Sequence, residues 1–411
     1  MGILESLYKR KKLLAGKFLN SLSNEEYITP VEVAELMIKK FPPEIWKNPN
    51  VSFNCSCSKS GIFPLQMIIN FMENLSIQDE TLRYNHIINN MVKVSVSHKR
   101  NKWIVSKMIY GDVNEAHRIG ILPIDKIKKS ENIILPMADL ISGNPPYLKD
   151  FHLKLLKISC DSLNEGGEII WIHPARWLQD PLAPMKGNSD FNKYKDLPFV
   201  NFEIIPCGIA SKLFNNEMTS DLVISHLKKG EKSILTEDKI YELRGIPIHF
   251  KELLKSKFFS LKDVIEKDKR KGIRVRIRAI VPNTVHGRDH VKGRYDLLTK
   301  ADKVIIDGIM DGQDWTKGPA RNQFTKKEGS PLPLSIKFDT VQEAQNFIDS
   351  INTEFFLFFN YLTKLDVNVQ FQYLPFMKDY REPWTNERFQ RYFQVSDEEM
   401  KFIKDTMKKY K

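Results

Sequence analysis

The chain has 411 residues, 42% of them hydrophobic, and a formal net charge of +12. This length exceeds what one hydrophobic core usually organises, so we expect two domains. No run of about 18 apolar residues occurs in the sequence, which argues against a membrane-spanning helix. The positive charge suits a polyanionic partner, although a general bias towards lysine explains it as well.

The first element that we predict is a helix that begins after Thr29 and Pro30. A threonine followed by a proline suits a helix cap and a first-turn proline. Apolar residues then recur at helical spacing, at Val33, Leu36, Met37 and Phe41. This spacing predicts a helix with one buried face.

A strand, a loop of small residues and an apolar helix follow. The strand is predicted at Val51-Ser52-Phe53, the loop at Lys59-Ser60-Gly61 and the helix from Ile62 onwards. A doubly wound α/β sheet begins its ligand crevice in this way, with the loop amides facing the ligand. Lys59, Ser60 and Gly61 are therefore candidate ligand-binding residues.

The tetrapeptide Asn144-Pro145-Pro146-Tyr147 comes directly after the apolar run 140–143. Because proline has no amide donor and a fixed φ, these residues present carbonyl groups and one aromatic face at a strand end. The carbonyls of the Asn144 side chain and of Pro145 can both accept from an amino group, which would free its lone pair. Tyr147 offers a surface on which a base removed from its duplex can stack. A strand that simply ends at two prolines, with a packed tyrosine, would explain the same four residues.

The segment 163–172 has the pattern of a helix end, a tight turn and a buried strand. In this order the motifs resemble those of S-adenosylmethionine-dependent DNA adenine-N6 methyltransferases from restriction-modification systems, with a gamma-like motif order. The hallmark of that family is Asn/Asp-Pro-Pro-Tyr/Phe, which is residues 144–147 here. The resemblance covers most of the chain, least clearly at 233–330, and includes the segments 28–34, 211–224 and 374–399.

The resemblance implies an α/β fold, with a Rossmann-like seven-stranded methyltransferase domain and a mixed α+β DNA-recognition domain. We expect the catalytic domain at 1–232, the target-recognition domain at 233–375 and a C-terminal helical segment at 376–411. The polar stretch Lys228–Lys232 marks the first of these boundaries.

The implied activity is transfer of a methyl group from S-adenosylmethionine to N6 of an adenine flipped out of duplex DNA. The implied catalytic residues are Asn144, Pro145, Pro146 and Tyr147, and Phe214 would stack on the base opposite Tyr147. The implied cofactor-binding residues are Thr29, Pro30, Lys59, Ser60, Gly61 and Asp112. Proximity and orientation can supply most of the acceleration, so no metal is expected.

The cofactor loop departs from the family pattern. Cys55 stands where an acidic side chain would meet the methionine ammonium, and Ser56 replaces a proline. Loss of a charge-assisted hydrogen bond should weaken cofactor binding. A ribose-binding carboxylate is expected roughly 20 residues beyond the loop, yet Met91–His98 contains no acid. The alternative is therefore a catalytically silent methylase-fold protein that binds DNA or a protein partner; methylation of a protein glutamine is a third, lesser hypothesis.

Arginines alternate with apolar residues at Arg274, Arg276 and Arg278. In a strand, the three guanidinium groups would share one face, where they could meet successive phosphates or read guanine edges. A solvated sheet face is the competing interpretation. Arg288 lies in a small polar loop with two histidines, and we expect it to contact DNA rather than support a metal site.

The four cysteines are too scattered to suggest a zinc site, so buried reduced thiols are expected. The first twenty residues are rich in Lys and Arg and contain no apolar signal segment. We therefore expect a cytoplasmic protein. Double-stranded DNA is the partner that the resemblance implies. A restriction endonuclease partner and the oligomeric state are left open by the sequence.

Overall fold

The computed structural model describes most of the chain, with gaps. The described residues are 2–14, 28–130, 133–147, 150–179, 190–215, 218, 220–243, 245–248, 250, 264, 266–267, 273–278, 305–311, 334–363 and 375–408. The chain divides into two compact units. Unit 1 is Met1–Trp177 with Lys186–Leu243, and unit 2 is Leu178–Met185 with Arg244–Lys411.

Unit 1 contains a seven-stranded sheet with the strand order β3-β2-β1-β4-β5-β7-β6. Strand β7 runs antiparallel to its neighbours β5 and β6, whereas β1 to β5 pair in parallel. The predicted Rossmann-like seven-stranded α/β fold is therefore confirmed. The strands are β1 (Phe53–Cys55), β2 (Val92–Val96), β3 (Gly120–Ile121), β4 (Ala138–Gly143), β5 (Leu163–Pro174), β6 (Phe199–Ile205) and β7 (Leu222–Lys228).

The segments that connect these strands form helices, because their apolar residues recur at helical spacing. Ten of the residues in the helix after β1 are buried, which makes this helix part of the core of unit 1. The helices are α1 (Ile3–Leu14), α2 (Val31–Ile38), α3 (Ile62–Asn74), α4 (Glu80–His86), α5 (Asn101–Tyr110), α6 (Ile124–Lys128), α7 (Phe151–Asp161), α8 (Asp190–Tyr194), α9 (Cys207–Phe214) and α10 (Glu237–Leu243). Shorter 3₁₀ turns lie at Pro43–Lys47, Val113–Arg118 and Arg176–Gln179, and a π turn lies at Ile87–Met91.

The start of α2 differs from the prediction at one residue. Pro30 is the N-cap residue of α2, with φ −60° and ψ 152°, and no side chain caps this end of the helix. The predicted helix-capping role of Thr29 is therefore wrong. Its hydroxyl group has a different partner, which lies in the candidate active site.

The strand order places the carboxyl ends of β1, β2, β3, β4 and β5 at one edge of the sheet. Since β1 lies between β2 and β4, the order reverses direction at β1. Open α/β sheets bind ligands at such a switch point, outside the carboxyl ends of the strands. The fold thus predicts where a ligand would lie.

The opposite edge of the sheet is held by Asp139 of β4. Its carboxylate accepts from the Ser52 amide at 2.7 Å, the Ser52 hydroxyl at 2.9 Å and Asn164 Nδ2 at 2.8 Å. Burial alone would raise the pKa of Asp139, but the hydrogen bonds from Ser52 and Asn164 outweigh it and lower the pKa. This carboxylate ties the beginnings of β1, β4 and β5 together.

Unit 2 contains a four-stranded antiparallel sheet in the order β10-β9-β11-β8. Its strands are β8 (Glu266–Lys267), β9 (Ile273–Arg278), β10 (Ile305–Asp311) and β11 (Leu334–Phe338), and its helices are α11 (Val341–Ile351), α12 (Glu354–Thr363), α13 (Asn386–Tyr392) and α14 (Asp397–Lys408). Mixed α+β structure is thus present in unit 2. Its role in DNA recognition and the domain boundaries at 232 and 375 stay predictions.

Aromatic side chains form the core of unit 2. Phe355 stacks on Phe389 and Phe393, with ring centroids 5.0 Å and 5.4 Å away. Ser396 and Glu399 form a capping box, since the Ser396 amide donates to Glu399 Oε2 at 2.6 Å and the Glu399 amide donates to Ser396 Oγ at 3.2 Å. Across the described ranges of both units, no helix has the length and apolar character needed to cross a membrane.

Candidate active site

Strand β4 ends at Gly143, and Asn144–Tyr147 follow without regular secondary structure. A Cβ atom on Gly143 would lie 3.1 Å from the Ser56 carbonyl oxygen and 3.6 Å from Trp171 Nε1. Only glycine allows the loop after β1 to approach the end of β4 this closely. The tetrapeptide therefore begins at the most crowded point of the sheet edge.

Asn144 is held by a residue far away in the sequence. Its Nδ2 atom donates to Thr29 Oγ1 at 3.0 Å, and Thr29 is only 6% exposed. The Asn144 Oδ1 atom is buried and finds no hydrogen-bond partner among the residues that the structure describes. Buried acceptors are rarely left in this state unless a ligand or water uses them. The carboxamide thus presents an oriented and unused acceptor at the strand end.

The rest of the tetrapeptide packs against unit 1. Pro145 and Pro146 are buried, and Tyr147 is half-buried. Tyr147 packs against the hydrophobic cluster that also contains Phe214, the last residue of α9. Phe214 is 8% exposed, which fits a core residue as well as one wall of a base pocket. Its stacking role stays a prediction.

A cavity of about 810 Å³ lies beyond the ends of β2 and β3 and reaches the tetrapeptide. This size is within the range of small-molecule sites. Residues that follow the two strands contribute most of its wall: Ser97, His98, Ile121, Leu122, Pro123, Ile124, Asp125, Lys126, Lys128 and Pro146. The second proline of the motif therefore borders a cavity at the switch-point edge.

Asp112 is not among the described residues that line this cavity, and its cofactor-binding role stays a prediction. It precedes β3, it is exposed, and its carboxylate accepts from the Asn114 amide at 2.9 Å at the start of a 3₁₀ turn. The acidic residue that does line the cavity is Asp125, which follows β3. No apolar run in the sequence marks this position, because β3 has two residues and both are exposed.

The loop after β1 reaches α3 through buried small residues. Lys59 is 8% exposed, Ser60 is 3% exposed, and Gly61 has φ 84°, which favours glycine. The Ser58 amide donates to the Ser95 carbonyl at 2.9 Å, so the loop is tied to β2. The predicted residues Lys59, Ser60 and Gly61 therefore lie at the carboxyl edge of the sheet, as expected of a ligand loop.

The residues at this edge fit only part of S-adenosylmethionine, the cofactor that the resemblance implies. Ser56 Oγ and both amide atoms of Asn101 are buried without hydrogen-bond partners in the described chain, at the ends of β1 and β2. These groups suit a nucleoside with hydroxyl groups. The methionine ammonium has no acidic partner in residues 53–61. Cys55 is fully buried, and burial raises the pKa of its thiol to about 12, with Ser58 opposing, so it is neutral.

Two buried histidines lie behind the tetrapeptide. His152 is in the first turn of α7 and His173 is near the end of β5, with ring centroids 5.4 Å apart. His173 Nε2 is 2.8 Å from Ser225 Oγ, whereas both ring nitrogens of His152 lack partners in the described part of the chain. Burial lowers the pKa of His152 to about 4, and burial together with His152 lowers that of His173. Both imidazoles are therefore neutral at pH 7.

The predicted DNA-contacting arginines lie in unit 2. Arg274, Arg276 and Arg278 occupy alternate positions of β9, so the predicted strand is present. Arg288 lies outside the described residues. No group of three or more His, Cys, Asp or Glu side chains in the described ranges could hold a metal ion.

Sequence comparison supports the resemblance over a limited segment. No protein-family model matches the chain. Over 81 residues the chain is 31% identical to an "Uncharacterized adenine-specific methylase" of Mycoplasma pneumoniae, which is 18% of this chain and 19% of that protein. The match thus spans about a fifth of that relative's length. The resemblance to adenine-specific methylases is confirmed for this segment.

Solved structures resemble the chain only loosely. The EcoKI M protein, from a type I restriction enzyme, has a TM-score of 0.36 and 15% identity, covering 52% of this chain and 45% of its own. LlaBIII, an ATP-dependent type ISP restriction-modification enzyme bound to DNA, has a TM-score of 0.37 and 12% identity, and the match covers 51% of this chain and 19% of LlaBIII. TrmN from Thermus thermophilus has a TM-score of 0.28 and 10% identity, and the match covers 48% of each chain. TM-scores this low do not support a conclusion about function. The Rossmann-like methyltransferase fold of unit 1 follows from its strand order.

Proposed function

We propose that the chain is an adenine-specific DNA methyltransferase that transfers a methyl group from S-adenosylmethionine to N6 of a flipped adenine in duplex DNA. The observation that carries this proposal is the orientation of Asn144. Its Nδ2 donates to Thr29, and its buried Oδ1 is left as an acceptor two residues before Pro146, which borders a cavity of about 810 Å³. An amine donor placed there would complete the hydrogen bonding of the site.

The chemistry follows from that acceptor. Asn144 Oδ1 and the Pro145 carbonyl accept the two N–H groups of the adenine amine, which draws its lone pair out of conjugation with the ring. S-adenosylmethionine supplies a methyl group on a sulfonium, a good leaving group. Tyr147 stacks on the base, and Phe214 closes the other face, so the amine is held in line for attack. The surplus proton leaves the nitrogen after transfer, so no strong base is needed.

The cofactor would be held at the switch-point edge. The loop at Lys59, Ser60 and Gly61 lies beside the methionine part, and Asn101 and Ser56 offer buried hydrogen-bonding groups to the nucleoside. Asp125 contributes an acidic group to the cavity wall, although its side chain is exposed and lies 4.0 Å from Lys128 Nζ. Thr29 and Pro30 lie at the start of α2, where the Thr29 hydroxyl bonds to Asn144.

Unit 2 would bind the DNA, with Arg274, Arg276 and Arg278 of β9 and Arg288 as contacts. Lys337 of β11 is exposed, and it is paired in the strand ladder with Arg274. The net charge of +12 is in keeping with a duplex partner.

The test is methyl transfer from labelled S-adenosylmethionine to unmethylated duplex DNA, with product nucleosides separated. We expect label in N6-methyladenine. Asn144→Ala should lower the rate about 100-fold or more, because the contact matters most in the transition state. Its affinity for DNA should stay within a few-fold of wild type. Asn114→Ala is the matched control, since Asn114 is exposed on a 3₁₀ turn away from the cavity wall.

Two results would contradict the proposal. Absence of calorimetric binding at millimolar S-adenosylmethionine, with and without DNA, would favour the catalytically silent alternative. Label in a protein glutamine rather than in DNA would favour the third hypothesis, which uses the same Asn-Pro-Pro-Tyr chemistry.

A further inference from the structure

The hydrogen bond between Asn144 and Thr29 joins two residues that are 115 positions apart. Thr29 Oγ1 accepts from Asn144 Nδ2 at 3.0 Å, and the Thr29 side chain is almost completely buried. The start of α2 does not need this hydroxyl, because its N-cap residue is Pro30 and no side chain caps it. The described partner of the Thr29 hydroxyl is therefore the residue that would hold the substrate amine.

The bond decides which end of the carboxamide faces the substrate. The oxygen and nitrogen of an Asn side chain are nearly equal in size, so packing alone does not distinguish the two orientations. A rotation by about 180° around the last side-chain torsion, which is a soft torsion, would present an N–H group to the substrate amine. Two donors would then face each other. In the structure Nδ2 is the end that donates to Thr29 Oγ1, so Oδ1 is the end left for the substrate amine; the reverse orientation would require the Thr29 hydroxyl to turn and donate to Oδ1.

The backbone restricts both partners in the same way. Thr29 precedes Pro30 and Asn144 precedes Pro145. A residue before proline is excluded from the helical region and kept extended. The two side chains therefore project from stiff segments, and little conformational freedom is lost when the hydrogen bond forms.

We propose that Thr29 is a positioning residue that keeps Asn144 Oδ1 directed at the substrate amine. This inference rests on the proposed methyl transfer and deepens it. Thr29 acts through Asn144 and not through the cofactor. Its loss should therefore lower kcat and leave cofactor and DNA affinity nearly unchanged, since a misoriented amide fails in the transition state.

The test compares Thr29→Val with Thr29→Ser. Valine keeps the shape of threonine and removes the acceptor, whereas serine keeps the hydroxyl. We expect kcat of Thr29→Val, at saturating S-adenosylmethionine and DNA, to fall at least tenfold, with both dissociation constants within about twofold of wild type. Thr29→Ser should keep kcat within about threefold. In the Asn144→Ala background, Thr29→Val should have no further effect.

A matched control and a direct probe separate positioning from folding. Thr236→Val removes an exposed hydroxyl that accepts from the Lys239 amide at 3.1 Å, and it should leave kcat unchanged. The side-chain amide resonances of Asn144, observed by NMR, should shift and lose protection from exchange in Thr29→Val and be preserved in Thr29→Ser.

Three results would overturn the inference. The first is a wild-type kcat in Thr29→Val. The second is weaker cofactor binding with unchanged kcat, which would make Thr29 a cofactor ligand. The third is a wild-type protein without methyl transfer, which would contradict the proposed function and this role with it. The first two results require an active wild-type enzyme, so failure of this inference alone can be distinguished from failure of the proposed function.

Discussion

The buried pair His152 and His173 makes unit 1 sensitive to mild acid. Burial lowers the pKa of His152 to about 4 from the ordinary value of 6.5. The unfolded chain therefore binds a proton at position 152 between these two values, and the folded chain does not. Stability is fully present above pH 6.5 and is lost as the pH falls towards 4. Asp150 is the one nearby charge that opposes this shift.

The size of the effect follows from linkage. One pKa unit corresponds to about 1.4 kcal/mol. From pH 7 to pH 5, His152 alone should lower the free energy of unfolding by about 2 kcal/mol, and by roughly 3 kcal/mol once the pH is below 4. His173 should add to this in the same direction, since its pKa is also lowered. This is a large part of the 5–15 kcal/mol that stabilises an ordinary domain, as a rough guide.

His152→Leu removes the titrating group at nearly constant volume. We expect this variant to lose about 2 kcal/mol less than wild type between pH 7 and pH 5. Urea unfolding can be followed by the fluorescence of Trp177, whose ring stacks on His173 with centroids 6.2 Å apart. His117→Leu removes an exposed imidazole and is the control for loss of a histidine. Equal pH dependence in wild type and His152→Leu would refute the reasoning.

Three further predictions concern the candidate site. Gly143→Ala should destabilise unit 1 by about 1–3 kcal/mol and weaken S-adenosylmethionine binding in calorimetry, because its Cβ would lie 3.1 Å from the Ser56 carbonyl. Gly166→Ala is the control for backbone strain, because Gly166 has φ 73° and nothing lies within 4 Å of its Cβ position. Equal cofactor affinity in the two variants would show that a side chain at position 143 does not disturb the loop after β1. Phe214→Ala should lower thermal stability by about 3 kcal/mol as a core residue. Tyr147→Ala should weaken capture of the base by roughly 1–3 kcal/mol, seen as less 2-aminopurine fluorescence at the target, and unchanged fluorescence would remove Tyr147 from the base pocket.

The sheet and the central motif could be predicted because each has a local signal. The apolar run before Asn144 is long enough to mark a strand, and the two prolines mark its end. The small residues between β1 and α3 mark the ligand loop in the same way. These features depend on neighbours in sequence, and so the sequence was sufficient.

The contacts that complete the site have no such signal. Asn144 and Thr29 are joined only by the packing of α2 against the sheet edge, and no periodicity relates them. Asp125 could not be separated from Asp112 because β3 lacks an apolar run. His152 occupies one position of a helical pattern, and the sequence does not reveal that its ring nitrogens are buried without partners in the described chain. Each of these facts depends on tertiary packing.

The altered loop after β1 and the intact motif Asn144–Tyr147 after β4 would affect different kinetic constants. Cys55 is a neutral thiol, so the methionine ammonium lacks a charge-assisted hydrogen bond, which is worth on the order of 1.5–3 kcal/mol. That loss is felt equally in the ground state and the transition state, so it raises the cofactor KM by roughly ten- to a hundredfold and leaves kcat unchanged. Lys126 and Lys128 add little to this, since both are exposed and water screens them. In the proposed mechanism Asn144 would affect kcat instead, because its acceptor would be used most as the amine becomes tetrahedral. An enzyme with weak cofactor binding and ordinary turnover is therefore the consistent expectation, whereas a silent relative has no reason to keep the Asn144 carboxamide oriented by Thr29.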